Sequence, residues 1–176
     1  MNLSTNTDKL DLDSLEGKLA FLRQLPFFSH TPLETIRLYA YLTTKEQYYA
    51  QEPIVAQDDH ADRLFLIISG KVAICEERKG REFHLQTLSG EGFNYFGELT
   101  LLAEFDWFFS ARALTDVTLL SISRDAFKKV MEKFPEYFAE TVAHIVKLRI
   151  DRFVDQTDYL IDHLKEDAWR ECGTKK

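Results

Sequence analysis

The sequence predicts a mainly β fold with flanking helices: an antiparallel β-roll or jelly roll (a double-stranded β-helix) followed by a long C-terminal helix. Two observations carry this prediction. From about Gln47 the apolar residues recur at every second position in short β-rich runs separated by turn-forming residues. After Ser123 they recur with helical spacing to the end of the chain, with a break near Pro135.

Two short helices are expected before the β region. Apolar residues in segment 15–22 predict the first, which ends before Pro26. Segment 33–42 predicts the second, with Thr31 as its N-cap just before Pro32.

The domain boundaries follow from these elements. Residues 1–13 are polar and are expected to form a mobile N-terminal tail. Residues 14–134 then hold the N-terminal helices and the β-roll, and residues 135–176 form the C-terminal helix.

Four runs define the β region: RLFLIIS, KVAIC, FHLQTL and VTLLSIS, with turns expected at Ser69-Gly70, Lys79-Gly80 and Gly90. Several short strands at this spacing are typical of a sandwich or jelly roll.

A hairpin turning at Lys79-Gly80 places Cys75 opposite His84, with side chains about 5 Å apart. A thiolate and an imidazole at that distance can ligate haem or a soft metal. Because two such ligands often meet by chance, and because this pair lies on the face opposite Ile74 and Leu85, a structural role is the favoured interpretation.

Composition excludes some classes of function. The formal net charge of −7 argues against nucleic-acid binding, which needs clustered Lys and Arg. Two cysteines are too few for a disulfide framework and suit a reducing compartment, so a cytoplasmic location is expected. The N-terminus shows no apolar signal region, and no 18-residue apolar run indicates a membrane span.

The C-terminal helix carries a heptad seam. Its positions follow one another at spacings of 4, 3, 4, 3 and 4 residues: Val146, Ile150, Phe153, Thr157, Leu160 and Leu164. This pattern predicts a parallel homodimer through the helix. The alternative is a helix packed on its own sheet.

Four pieces occur in one order along the chain: LRQLPFF, FLIISGKVAI, FGEL and TDVTLLSISRDAF. Together they resemble the cyclic nucleotide-binding domain family, from about Leu19 to Phe153. In that family the segment after FGE is a phosphate-binding cassette, in which backbone N–H groups at a short helix N-terminus face the cyclic phosphate. The resemblance makes Glu98 the acceptor for the ribose 2′-hydroxyl.

The resemblance breaks in the second half of the cassette. Aligned without a gap, the family's Pro-Arg pair, whose arginine binds the phosphate, falls on Asp106-Trp107, and its small residues fall on Phe108 and Phe109. The candidate ligand-binding residues are therefore those of a degenerate cassette: Phe96, Gly97, Glu98, Leu99, Thr100, Asp106, Trp107, Phe108, Phe109 and Arg112.

These departures predict a stand-alone regulatory domain that binds cAMP or cGMP weakly or not at all and needs no other cofactor. One alternative is a sensor, for a cyclic nucleotide if Arg112 enters the pocket, or for another small molecule. Glu98 could instead be only a helix N-terminal acid. The aromatic residues from Phe105 to Phe109 either fill the cavity in which the family binds its nucleotide, which is the favoured interpretation, or line a pocket for a flat apolar ligand.

Enzymes and DNA-binding regulators are the competing classes. A cupin-type enzyme needs closely spaced metal ligands, whereas the five histidines are scattered with no His-x-His pair, so no catalytic or metal site is expected. Regulators resembling this domain carry a helix-turn-helix after the long helix, and only about a dozen residues follow Leu164. A downstream signalling protein is the expected partner besides a second copy.

Overall fold

The computed structural model describes residues 10–29, 31–91 and 94–163. It contains four α-helices: α1 (Leu15–Leu22), α2 (Leu33–Leu42), α3 (Arg124–Lys133) and α4 (Phe138–His163). Short 3-10 helices span Pro26–Phe28, Glu98–Leu101 and Pro135–Tyr137.

Ten strands lie between α2 and α3: β1 (Thr44–Tyr48), β2 (Pro53–Val55), β3 (His60–Ala61), β4 (Arg63–Ser69), β5 (Lys71–Arg78), β6 (Arg81–Ser89), β7 (Tyr95–Phe96), β8 (Phe105–Asp106), β9 (Ser110–Ala113) and β10 (Val117–Ser123). They form two antiparallel four-stranded sheets, ordered β1-β10-β4-β7 and β2-β9-β5-β6, and a small β3-β8 ladder. The predicted antiparallel β-roll with flanking helices is confirmed.

Two apolar cores explain the strand sequences. Phe65 and Ile67 of β4 face the other sheet, where they pack inside the roll with residues such as Ile74. Leu64 and Leu66 of the same strand face the helices, in a second cluster that we call the helical core. Because β4 is covered on both faces, its sequence is a continuous apolar run rather than an alternating one.

The hairpin between β5 and β6 has the predicted register, with Cys75 opposite His84. Its turn at Lys79-Gly80 has positive φ at both residues, as a tight hairpin requires. A bulge between Ile74 and Cys75 interrupts the pairing.

Two local predictions are wrong. Thr31 does not cap α2; the N-cap position is Pro32, which makes no side-chain capping bond. Residues 10–13 do not form part of a free tail, since Leu12 is buried in the helical core and Asp13 pairs with Lys45 at 2.8 Å. Residues 1–9 lie outside the described part of the chain.

The chain enters and leaves α3 as expected. The Ser123 side chain accepts a hydrogen bond from the Ala126 N–H and caps the helix. The break at Pro135 is a 3-10 turn, after which α4 runs for 26 residues. Its buried Ile145 anchors the first half of α4 to the helical core.

Candidate functional site

The cassette begins with a tight turn at Gly97. This glycine has φ 84°, a conformation that side-chain-bearing residues rarely adopt, and it leads from β7 into the 3-10 helix Glu98–Leu101. Thr100 closes the turn, because its hydroxyl donates to the Gly97 carbonyl at 2.8 Å. Phe96 and Thr100 are buried, and Leu99 is half-buried.

A buried arginine fixes the far end of this turn. The Arg124 guanidinium donates to the carbonyls of Thr100, Ala103 and Ala61. Unsatisfied carbonyls at the end of a helix carry partial negative charge, so a cation is stabilising there. Arg124 therefore ties the cassette to β3.

The second half of the cassette is built as a strand. β8 pairs with β3, so that Asp106 lies opposite His60. The ladder continues through Trp107, whose N–H donates to the Asp59 carbonyl at 2.8 Å and whose carbonyl accepts from the Asp58 N–H at 2.7 Å. The backbone N–H of Trp107 is thus hydrogen-bonded within the protein.

The Trp107 side chain points into the roll and is 3% exposed. A Cβ built on Gly97 would lie 2.6 Å from the Trp107 ring, so the ring rests directly on the glycine of the cassette turn. Phe96, Phe65 and Phe109 surround it, with ring centroids 5.2–6.4 Å away. The aromatic side chains fill this part of the roll.

The remaining aromatic residues of the segment lie differently. Phe109 is buried, whereas Phe108 is 55% exposed and stands edge-on to it. Asp106 is exposed, with a carboxylate oxygen 3.8 Å from the His60 imidazole. Trp107 and Phe109 therefore occupy the interior, and Phe105 packs half-buried against them.

Glu98 is buried, and its charge is matched by α4. One carboxylate oxygen lies 3.8 Å from Arg149 Nη1 and the other lies 3.6 Å from Arg152 Nη1. The Arg152 guanidinium also lies over the Tyr95 ring, 4.3 Å from its centroid. We call these four residues the latch.

Sequence reasoning missed both latch arginines. They are 51 and 54 positions from Glu98, but they stand three residues apart and so share one face of α4. Their spacing shows only that they share a face, and nothing in the local sequence indicates that this face meets Glu98.

The interpretation in which Arg112 enters the pocket is wrong for this structure. In β9 the buried residues are Ala111 and Ala113, which places Arg112 on the opposite, exposed face. There its guanidinium lies 3.2 Å from the Glu82 carboxylate.

The seam of α4 faces away from the domain over its described part. Val146, Ile150 and Phe153 are exposed, and the Thr157 hydroxyl donates to the Phe153 carbonyl. The Leu160 side chain and Leu164 lie outside the described residues. Since Ile145 is buried while the seam is exposed, α4 packs on its own domain with another face.

Cys75 and His84 are paired in register but differ in environment. Cys75 is buried, and burial raises the pKa of its thiol. The exposed His84 has Nε2 3.0 Å from the Thr87 hydroxyl. Within ranges 10–29, 31–91 and 94–163, no three His, Cys, Asp or Glu side chains are grouped as a metal site would need.

No helix in the described part of the chain combines the length and apolarity that crossing a membrane would require.

Residues 45–134, just over half of the chain, match the family model described as "Cyclic nucleotide-binding domain".

Two relatives match more of the sequence. The "Cyclic AMP receptor protein" of Thermus thermophilus is 29% identical over 139 residues, which are 79% of this chain and 62% of that protein. The "Patatin-like phospholipase domain-containing protein 7" of Rattus norvegicus is 29% identical over 92% of this chain but only 10% of its own length. This chain thus spans less than two thirds of either relative.

A solved structure gives the same fold over nearly the whole chain. The cyclic nucleotide-binding domain from Methylobacillus flagellatus superposes with a TM-score of 0.72, at 18% identity, covering 88% of this chain and 87% of that one.

Proposed function

Because this chain belongs to the cyclic nucleotide-binding domain family, we propose that it is a non-enzymatic regulatory domain whose nucleotide pocket is filled by its own side chains. It binds cAMP and cGMP weakly or not at all, and it signals through α4. The few cysteines fit a cytoplasmic setting.

The packing of Trp107 against Gly97 carries this proposal. Trp107 stands where the resemblance places the phosphate-binding arginine, and its ring occupies the interior beside the cassette turn. Its backbone N–H already donates to the Asp59 carbonyl. A cyclic phosphate would therefore meet an apolar ring where the family supplies a cation.

The latch supports the same conclusion. Glu98 is the residue expected to accept the ribose hydroxyl, but here Arg149 and Arg152 of α4 face both of its carboxylate oxygens. A nucleotide that engaged Glu98 would compete with α4 for that carboxylate. The latch therefore links the cassette to α4 through the protein's own side chains.

The exposed seam suggests how α4 transmits a signal. Ile150 and Phe153 each follow a latch arginine by one position. A partner that covers the seam would therefore also fix the orientation of the arginine side chains relative to Glu98. We propose a second copy of this chain as that partner, in a parallel homodimer. A downstream signalling protein would then recognise the dimer.

Titration calorimetry tests the pocket. The unmodified protein should give no cAMP or cGMP binding tighter than about 1 mM. A variant carrying Trp107→Arg, Phe108→Ala and Phe109→Ala restores the guanidinium and the space. A matched variant carries Trp107→Gln with the same two alanines.

The arginine variant should bind cAMP about ten- to a hundredfold more tightly than the glutamine variant, because a charge-assisted hydrogen bond contributes roughly 1.5–3 kcal/mol. Circular dichroism must show both variants folded. Micromolar binding of cAMP by the unmodified protein would contradict the proposal outright.

A further inference from the structure

A concave site lies beside Trp107. A cavity of about 210 Å³ opens at the mouth of the β-roll. Its lining residues come from β1, β2, the segment from Asp59 through β3 into β4, and the cassette: Glu46, Tyr48, Ile54, Val55, Asp59, His60, Asp62, Arg63, Phe65 and Trp107. We call this cavity the mouth cleft.

The hydroxyl donors around Glu46 at the mouth cleft are directed at its carboxylate. The Tyr48 hydroxyl donates to Glu46 at 2.7 Å, and the Ser121 hydroxyl donates to the same carboxylate. Burial raises the pKa of Tyr48 above its ordinary value, which keeps this hydroxyl protonated. Arg63 donates twice to Asp62 and lies 3.5 Å from Glu46.

The acceptors, in contrast, retain free capacity. A carboxylate has about four lone-pair positions, and Asp62 uses two of them on Arg63. The exposed Asp59 carboxylate has no side-chain hydrogen bond or ion pair within the described residues. Three carboxylates against one guanidinium leave the mouth cleft with a net negative charge.

An apolar wall completes the site. Phe65 and Trp107 form its buried part, while Ile54 and Val55 are half-buried at its side. Pockets that hold small molecules combine such a wall with a few convergent polar groups. Here the polar groups are mainly carboxylates with unused lone pairs, and they outnumber the Arg63 guanidinium three to one.

We propose that the mouth cleft binds a small organic cation: an ammonium or guanidinium group carried on a short apolar body. The cationic group donates to Asp59, Asp62 and the remaining lone pair of Glu46, and the apolar body lies along Ile54 and Val55. This ligand has the opposite charge to a cyclic nucleotide. The site does not depend on whether the cassette binds one.

The position of the mouth cleft gives its occupant a route to the rest of the domain. Trp107 lines the cleft and also contacts Gly97, the residue before the latch carboxylate Glu98. An occupant of the cleft therefore lies beside the side chain on which the cassette turn rests.

Heteronuclear NMR of the full chain tests the proposal with three probes of one shape: 2-phenylethylammonium, 2-phenylethanol and phenylacetate. The ammonium probe should produce saturable shifts at the amides of residues 54–63 and 107, with a dissociation constant on the order of 1 mM or tighter. The alcohol should bind at least about tenfold more weakly, since it lacks the charge-assisted hydrogen bonds. Phenylacetate should not bind.

Two variants locate the cation. Asp59→Asn changes an exposed group and should weaken binding about threefold, and Glu46→Gln should weaken it about tenfold. Asp155→Asn on α4 is the matched control and should leave the affinity unchanged.

Three results would each overturn the proposal: no saturable shift with the ammonium probe up to 10 mM (about ten times the expected constant), equal binding of the alcohol, or equal weakening by Asp59→Asn and Asp155→Asn. If Glu46→Gln fails to fold, Asp59→Asn decides the question alone.

Discussion

The latch predicts that a single uncharged substitution loosens one half of one helix. Glu98→Gln keeps the shape of the side chain and removes the charge facing Arg149 and Arg152. The first half of α4 is held by Ile145 in the helical core and by His144, whose Nε2 lies 2.9 Å from the Pro26 carbonyl. The latch arginines lie at the middle of α4 and are the contacts that precede its second half.

The distances set the size of the effect. A unit charge pair near 4 Å gains about 4 kcal/mol at an effective dielectric constant of about 20. Removing Glu from water offsets much of this gain. The arginine side chains are 32% and 20% exposed, so without Glu98 they reach water instead of remaining buried and unpaired. The net loss is therefore about 1.5–3 kcal/mol.

Hydrogen exchange measures this loss locally. Opening that becomes easier by about 1.5–3 kcal/mol speeds amide exchange about ten- to a hundredfold. We expect that acceleration in residues 149–163 of Glu98→Gln and little change in β4, β5 and β10. Glu132→Gln, which alters an exposed glutamate on α3, is the matched control.

Two outcomes would refute this reasoning. Exchange in 149–163 could stay within about twofold of the unmodified protein, which would mean that the ion pairs do not hold α4. Exchange could instead rise equally throughout the domain, which would make Glu98 a general determinant of stability rather than a contact for α4.

The remaining predictions concern assembly, the cassette turn and acid stability. Light scattering should report about twice the chain mass, and Phe153→Glu should reduce it. An unmodified protein that is monomeric at tens of micromolar would contradict the predicted dimer. Gly97→Ala should lower the stability measured by denaturant unfolding by more than about 3 kcal/mol, because the new Cβ requires positive φ and clashes with the Trp107 ring. Gly80→Ala also has positive φ but nothing within 4 Å of its Cβ, so it should lower stability by only about 1 kcal/mol. Equal losses in the two variants would contradict the contact between Gly97 and Trp107. The hydrogen bond from Arg63 holds the pKa of Asp62 below its ordinary value, so its stabilisation is present above about pH 4 and is lost as the pH falls through the lower folded-state pKa; Asp62→Asn should therefore be less stable by up to about 1 kcal/mol at neutral pH, with the difference disappearing in acid.

The fold could be predicted because its signals are local. Alternation along the strands, turn residues at Gly80 and the Ser123 cap each act within a few positions. The error at Thr31 has the same origin, since a capping sequence does not reveal whether the side chain turns toward the helix. The burial of Leu12 depends on contacts with distant helices, which a polar local sequence conceals.

The candidate site was predictable only in part. The glycine turn and the loss of the cassette arginine can be read from neighbouring residues. Arg112 could have been excluded as well, because small alanines on both sides of it mark the buried face of a crowded roll. The pairing of Glu98 with Arg152 could not be predicted, since it depends on how α4 returns across the domain.

The buried position of Trp107 has an evolutionary consequence. An arginine appearing alone at this position would be enclosed by Phe65, Phe96 and Phe109 with no anion present, and an unpaired buried charge costs several kcal/mol. Domains of this size have only about 5–15 kcal/mol of stability in total. A domain with this interior is therefore not expected to acquire an arginine at this position in a single step. Substitutions at exposed positions outside the seam and the mouth cleft usually change stability by no more than about 0.5 kcal/mol, so sequence change is expected there first.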